Sequence, residues 1–178
     1  MDRYAVFLRG VNVGGVKVLG KDLVSLLAAG GFCEVSTLLA SGNVVLDSPL
    51  GSAAAVQLRC DELLQGFYGR SIPSLVFTSG EIKQLGGPFP LALPEPAAEH
   101  HAYLTLCASA AKAARLLQLA QDECPGRELA VAGRALCWVL AKGESTTDPL
   151  GKLTARLAKS MLLTTRNHNT MAKVRQRF

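Results

Sequence analysis

Residues 35–47 read VSTLLASGNVVLD, and the fold is decided by how this stretch is understood. Val35–Ala40 and Val44–Asp47 are short runs dominated by β-branched and aliphatic side chains, which suit a pleated, half-buried strand. Between them stand Ser41, Gly42 and Asn43, small residues that tolerate the backbone of a tight turn. The stretch therefore predicts a β-hairpin.

Outward from the hairpin the pattern changes period. On the N-terminal side, Leu23, Leu26 and Leu27 fall at helical spacing within Lys21–Gly30, and Gly30-Gly31 is a stop signal. Arg3–Leu8 before it is short, apolar and strand-like. On the C-terminal side, Ser52–Tyr68 is helical, with Val56, Cys60, Leu63, Leu64 and Phe67 on one face. Ile72–Phe77 is again a strand. The order β-α-β-β-α-β is that of the ferredoxin-like arrangement.

A short helix is expected over Ser79–Leu85, and residues 1–84 form the first half. Residues 85–98 interrupt the pattern with Pro88, Pro90, Pro94 and Pro96 beside Gly86 and Gly87, which marks a linker or crossing loop. Residues 99–178 repeat the order more loosely. Strands are expected at His101–Cys107, Glu128–Ala132, Ala135–Ala141 and Met161–Leu163, and helices at Ser109–Gln121 and Leu150–Lys159. The expected fold is α+β: two ferredoxin-like (β-α-β-β-α-β) halves packed together, with an extra basic C-terminal helix over Asn169–Arg177. Strands one and two of the first half run the same way, so the loop after the first should meet the turn after the second. Arg9–Gly15 is thus expected beside Ser41, Gly42 and Asn43.

Of the 178 residues, 49% are hydrophobic and 19% charged, enough to build a core and far from a disordered composition. No apolar run reaches the ~18–20 residues that span a bilayer, so no membrane partner is expected. The chain enters a strand-like segment at once, which makes a poor signal peptide. Cys33, Cys60, Cys107, Cys124 and Cys137 are odd in number and scattered, without a CxxC pair. A reducing, cytoplasmic setting with mostly buried thiols is the simpler reading, and neither a metal site nor a cofactor is expected. The formal net charge is +5, and after Asp148 there is no acid while seven bases follow. Such a stretch attracts phosphates, or simply solvates a helix face.

Two polar clusters exceed what packing demands. In Arg9-Gly10-Val11-Asn12-Val13-Gly14-Gly15, glycines let backbone N–H groups approach an anion, and Arg9 can hold it through two nitrogens. The spacing fits neither GxGxxG nor a P-loop. The structural alternative is that the glycines permit turns, Asn12 caps locally and Arg9 pairs with an acid. In Thr164-Thr165-Arg166-Asn167-His168-Asn169-Thr170, Asn167 or Asn169 suits the N-cap of the last helix. The same helix start can hold an anion, with Arg166 and Lys173 as counter-charges and His168 as a proton shuttle. The candidate ligand-binding residues are Arg9, Asn12, Gly14, Gly15, Ser41, Asn43, Arg166, Asn167 and His168. His100 and His101 lack a third ligand at metal spacing and read as structural. Trp138 is expected in the second core.

The chain resembles the bacterial domain-of-unknown-function family numbered 1697. The resemblance rests on LRGVNVGG at Leu8–Gly15, GFCEVSTLLASGNVVLDS at Gly31–Ser48, VAGRALCW at Val131–Trp138 and LTTRNHNTMAKV at Leu163–Val174. It implies the family's two-part α+β fold and no established activity. The family usually carries tryptophan where this chain has His168, glutamine where it has Ala40, and an aromatic where it has Leu46.

Four readings of function follow. The first is binding of a small anionic ligand, phosphate- or carboxylate-bearing, at the glycine-rich rim. Nucleic acid, held by the basic C-terminal region, is second, since the sheet lacks the stacking aromatics of an RNA-recognition module. An enzyme acting on a phosphorylated metabolite, with His168 as base, is third. The fourth is a structural or interaction protein whose motifs only make turns. The catalytic residues and the oligomeric state are left open.

Overall fold

The computed structural model describes residues 1–12, 17–40, 42–144 and 147–178. Among them are two four-stranded antiparallel sheets and six α-helices. By contacts the chain divides into two compact units, Met1–Lys83 with Lys173–Phe178, and Gln84–Ala172. Residues 85–98, expected as a linker, belong to the second unit, and the last six residues to the first.

The first unit runs β1 (Asp2–Leu8), α1 (Gly20–Ala29), β2 (Cys33–Leu38), β3 (Asn43–Ser48), α2 (Ala53–Tyr68) and β4 (Ser74–Thr78), followed by α3 (Ser79–Leu85). Its sheet order is β2-β3-β1-β4. The predicted hairpin is present, with Leu38 opposite Asn43 and Thr37 opposite Val44. Asn43, expected in the turn, is instead the first residue of β3 and wholly buried. The reversal runs through Leu39 and Gly42, both at positive φ.

Alternation along β1 sends Tyr4, Val6 and Leu8 into one core with Leu23 and Leu27 of α1 and Val56, Cys60 and Leu64 of α2. Each fully buried side chain of this size contributes ~1.5–3 kcal/mol. Ser52 begins α2 by accepting from the Ala55 N–H, and Gly69 ends it in the left-handed conformation. Phe67, expected on the buried face, is 56% exposed: the buried stripe of α2 runs through Val56, Cys60 and Leu64 to Tyr68, and Phe67 lies beside it.

The second unit runs β5 (His100–Cys107), α4 (Ala110–Glu123), β6 (Ala130–Ala132), β7 (Ala135–Ala141), α5 (Pro149–Leu157) and β8 (Leu163–Asn167), with sheet order β6-β7-β5-β8. Trp138 is in its core as expected, stacked on Tyr103 at 4.9 Å and donating to Thr105 Oγ1 at 3.1 Å. Arg127 lies over the Trp138 ring, pairs with Asp148 and donates to the Val139 carbonyl at 2.6 Å. Asp148 in turn caps α5 by accepting from the Gly151 N–H.

The last strand is displaced: expected at Met161–Leu163, β8 instead takes in Thr164–Asn167, paired with β5 from Tyr103↔Asn167 to Cys107↔Leu163. The β-branched Thr164 and Thr165 fit a strand, and the β5 edge offers their backbone a full set of partners. The last helix, α6, is His168–Arg175.

Candidate functional site

The loop after β1 is held from both sides, because β1 has β3 on one flank and β4 on the other. Toward β3, the Leu8 N–H donates to the Gly42 carbonyl at 2.8 Å. Asn12 extends that link: its Nδ2 donates to the carbonyls of Ala40 at 2.5 Å and Val18 at 3.1 Å, and its Oδ1 accepts from the Val18 N–H at 2.9 Å. Asn12 sits at φ +57°, a conformation asparagine tolerates better than most residues. The expected meeting of the two loops is therefore present. The side chain that makes it, Asn12, is consumed by backbone groups.

Toward β4, the Arg9 N–H donates to the Pro73 carbonyl at 3.0 Å. This brings Arg9 and Gly10 against the α2–β4 connection, where they line a cavity of about 300 Å³ with Arg70, Ser71, Ile72 and Pro73. No acidic residue lines it among the described residues. Asp61 of α2 is turned to Ser74, accepting from its N–H at 3.0 Å and its Oγ at 2.6 Å. Burial raises the Asp61 carboxyl above its ordinary range, and the Ser74 bonds partly oppose that shift. Neither Arg9 nor Arg70 has a side-chain acceptor among the described residues.

The other candidates are placed as follows. Gly14, Gly15 and Ser41 lie outside the described residues. Asn43 is buried and donates to the Leu38 carbonyl at 2.9 Å. Arg166 is 8% exposed and points from β8 onto the sheet face opposite α4 and α5. It donates to Thr164 Oγ1 at 2.7 Å and the Thr165 carbonyl at 2.9 Å, and burial lowers its guanidinium to about 10. Asn167 Oδ1 accepts from the Asn169 N–H at 2.8 Å, the expected cap of the last helix. His168 Nε2 is 2.8 Å from the Gly87 carbonyl, with its ring 5.1 Å from that of Phe89. Arg9, Asn12 and Asn43 belong to the first unit, and Arg166, Asn167 and His168 to the second.

The sequence reading missed Arg70 and Ser71. The signal that locates them is strand order: residues just ahead of β4 must lie beside those just after β1 once the two strands pair.

Fold and site together define a mixed α+β protein with two antiparallel sheets, each carrying its own helices on one face. The chain belongs to the DUF1697 family, described as a protein of unknown function, whose model matches residues 1–137. It is also similar to a solved structure, that of the conserved bacterial protein SP0830 from Streptococcus pneumoniae. That likeness has a TM-score of 0.75 at 21% identity, covering 99% of this chain and 97% of that one, and shows a shared fold. No curated protein sequence matches the chain significantly. Among the described residues, no helix is long and apolar enough to cross a membrane, and no group of histidine, cysteine and carboxylate side chains is placed to hold a metal ion.

Proposed function

We propose that this protein binds a small anionic ligand, bearing phosphate or carboxylate, in the cavity between the β1–α1 loop and the α2–β4 connection. One observation carries the reading. Arg9 and Arg70, each without a protein acceptor among the described residues, line the same cavity, and no acid lines it with them. Guanidinium groups grip planar or tetrahedral anions through paired N–H bonds, and two of them neutralise a dianion. Gly10 at φ +69° has open space where a side chain would project, so its backbone is approachable. Ser71 adds a hydroxyl. This reading adds Arg70 and Ser71 to the partners expected of Arg9.

Nucleic acid is the second reading. Of the seven bases after Asp148, Arg166 is buried and Arg156 is paired with Glu123, which leaves a weaker basic surface than the sequence suggests. Catalysis on a phosphorylated metabolite is the third, with His168 its expected base. We further propose that each sheet with its two helices is a ferredoxin-like half, on the strength of the element order and the shared strand order. A cytoplasmic location accords with five free cysteines, four of them buried.

The test is a thermal-shift screen with pyrophosphate, sugar phosphates, nucleotides, dicarboxylates and a short RNA. A ligand at a hundred times its dissociation constant adds ~2.7 kcal/mol of stability. The expected result is a stabiliser whose effect disappears in both Arg9→Ala and Arg70→Ala. Stabilisation by RNA alone that vanishes at high salt moves the assignment to nucleic acid. A stabiliser that both variants still bind removes this cavity from the function.

A further inference from the structure

The second unit carries a different kind of cavity. It measures about 290 Å³, and all three of the chain's histidines, His100, His101 and His168, line it. In sequence His168 is distant from the other two, and His100 and His101 read as structural. The pairing of β8 with β5 gathers them, since Asn167 stands opposite Tyr103, beside the start of β5. Asn167 and Asn169 supply amides to the same cavity, and Phe89 supplies an aromatic wall.

We infer that this cavity is a binding site for a small, uncharged nitrogen heteroaromatic, a planar ring system with both hydrogen-bond donors and acceptors on its edge. Four features of the lining set that chemistry. The volume is at the lower end of small-molecule sites, ~300–1,000 Å³, and so suits one or two fused rings. No Asp, Glu, Lys or Arg lines the cavity among the described residues, so no permanent charge selects for an ionic ligand. Leu91 and Leu93 add apolar surface to Phe89, whose ring is tilted 53° to that of His168. A flat apolar face is what such a wall contacts best.

The fourth feature is the set of uncommitted polar atoms, which contains both donors and acceptors. His168 Nε2–H donates to the Gly87 carbonyl, so in the neutral ring Nδ1 is an acceptor. Asn167 uses its Oδ1 on the Asn169 N–H, which leaves its Nδ2 as a donor. The Asn169 side chain brings one donor group and one acceptor. His100 engages the Pro96 carbonyl through Nδ1, leaving Nε2. A hydrocarbon would strand all of these groups, and a ligand with acceptors alone would strand half, each at the cost of a lost hydrogen bond. The three imidazoles do not form a metal-ligating group among the described residues.

Adenine is the probe, titrated into the full chain with ¹⁵N-labelled histidine while the imidazole resonances are followed. The expected result is saturable shifts in His101 and His168, with affinity reduced at least about fivefold in both Asn169→Ala and His101→Phe. The Asn169 backbone N–H that bonds Asn167 survives the first change, and circular dichroism checks both folds. Arg9→Ala and Arg70→Ala should leave adenine binding unchanged, which separates this site from the anion cavity. The inference is overturned if no imidazole shifts saturably up to about 10 mM adenine. It is also overturned if both cavity variants fold and bind as the parent does, or if benzoate binds as tightly as adenine.

Discussion

Replacing Gly42 with alanine tests how the β1 loop is locked to the hairpin. Gly42 lies at φ +69°, in the left-handed region, where an L-residue costs ~1–2 kcal/mol. A Cβ there would stand 2.6 Å from Val11 Cγ2 and 2.8 Å from Leu8 Cβ. Both neighbours are buried, at 4% and 2% exposure, so neither can swing into solvent. Forcing a methyl into such packing costs a further ~1–3 kcal/mol. The expected loss is therefore about 2–5 kcal/mol. Gly10 is the internal control, since it has the same φ of +69° but no heavy atom within 4 Å of its would-be Cβ. Its alanine variant carries only the backbone cost, partly offset by ~0.4–1 kcal/mol from a stiffer unfolded chain. Urea unfolding followed by circular dichroism measures both, with m unchanged if only the native state is affected. Hydrogen exchange at the Leu8 amide, which donates to the Gly42 carbonyl, reports the same contact locally. Equal losses in the two variants would refute the steric argument and leave only backbone strain.

Three further outcomes can be checked. Asn12→Ala removes three hydrogen bonds to Ala40 and Val18 and should cost about 1–3 kcal/mol in urea unfolding, whether or not a ligand is present. The carboxyls of Asp61 and Asp47 should show opposite pH signatures. Burial raises that of Asp61, so its contribution is greatest below the unfolded pKa and is lost as pH rises through the folded one. The hydrogen bond from Arg3 lowers that of Asp47, so its contribution is present above the unfolded pKa and is lost as pH falls through the folded one. Stability measured through the acid range should thus fall less with rising pH in Asp61→Asn, and fall less with falling pH in Asp47→Asn. Finally, an alkylating reagent should label Cys33 alone in the native protein and all five cysteines after unfolding. Burial pushes the Cys60 thiol up to about 12 and those of Cys107 and Cys137 to about 11.

Much of the architecture was legible in the sequence because it is written in local period. The leucines of α1, the apolar runs of β1 and β3 and the helical spacing of α2 act within a few residues, and each of these elements appears within one or two residues of its expected bounds. The approach of Asn12 to Ala40 was also legible, since parallel β1 and β2 must place their following loops at one end of the sheet. Thr164–Asn167 was not. The apolar run ends at Leu163, where the strand is expected to stop, and only the open edge of β5 extends it through Asn167 and buries Arg166.

By itself the sequence determined the α+β class, the order of elements and the identity of two polar clusters, because hydrophobic periodicity and turn chemistry are local properties. Only the tertiary structure decided who stands beside whom. Pairing of β1 with β4 put Arg70 next to Arg9, and pairing of β5 with β8 brought His168 to the distant pair His100 and His101. Strand neighbours are chosen by burying the whole core of a unit at once, and no short window of sequence contains that balance.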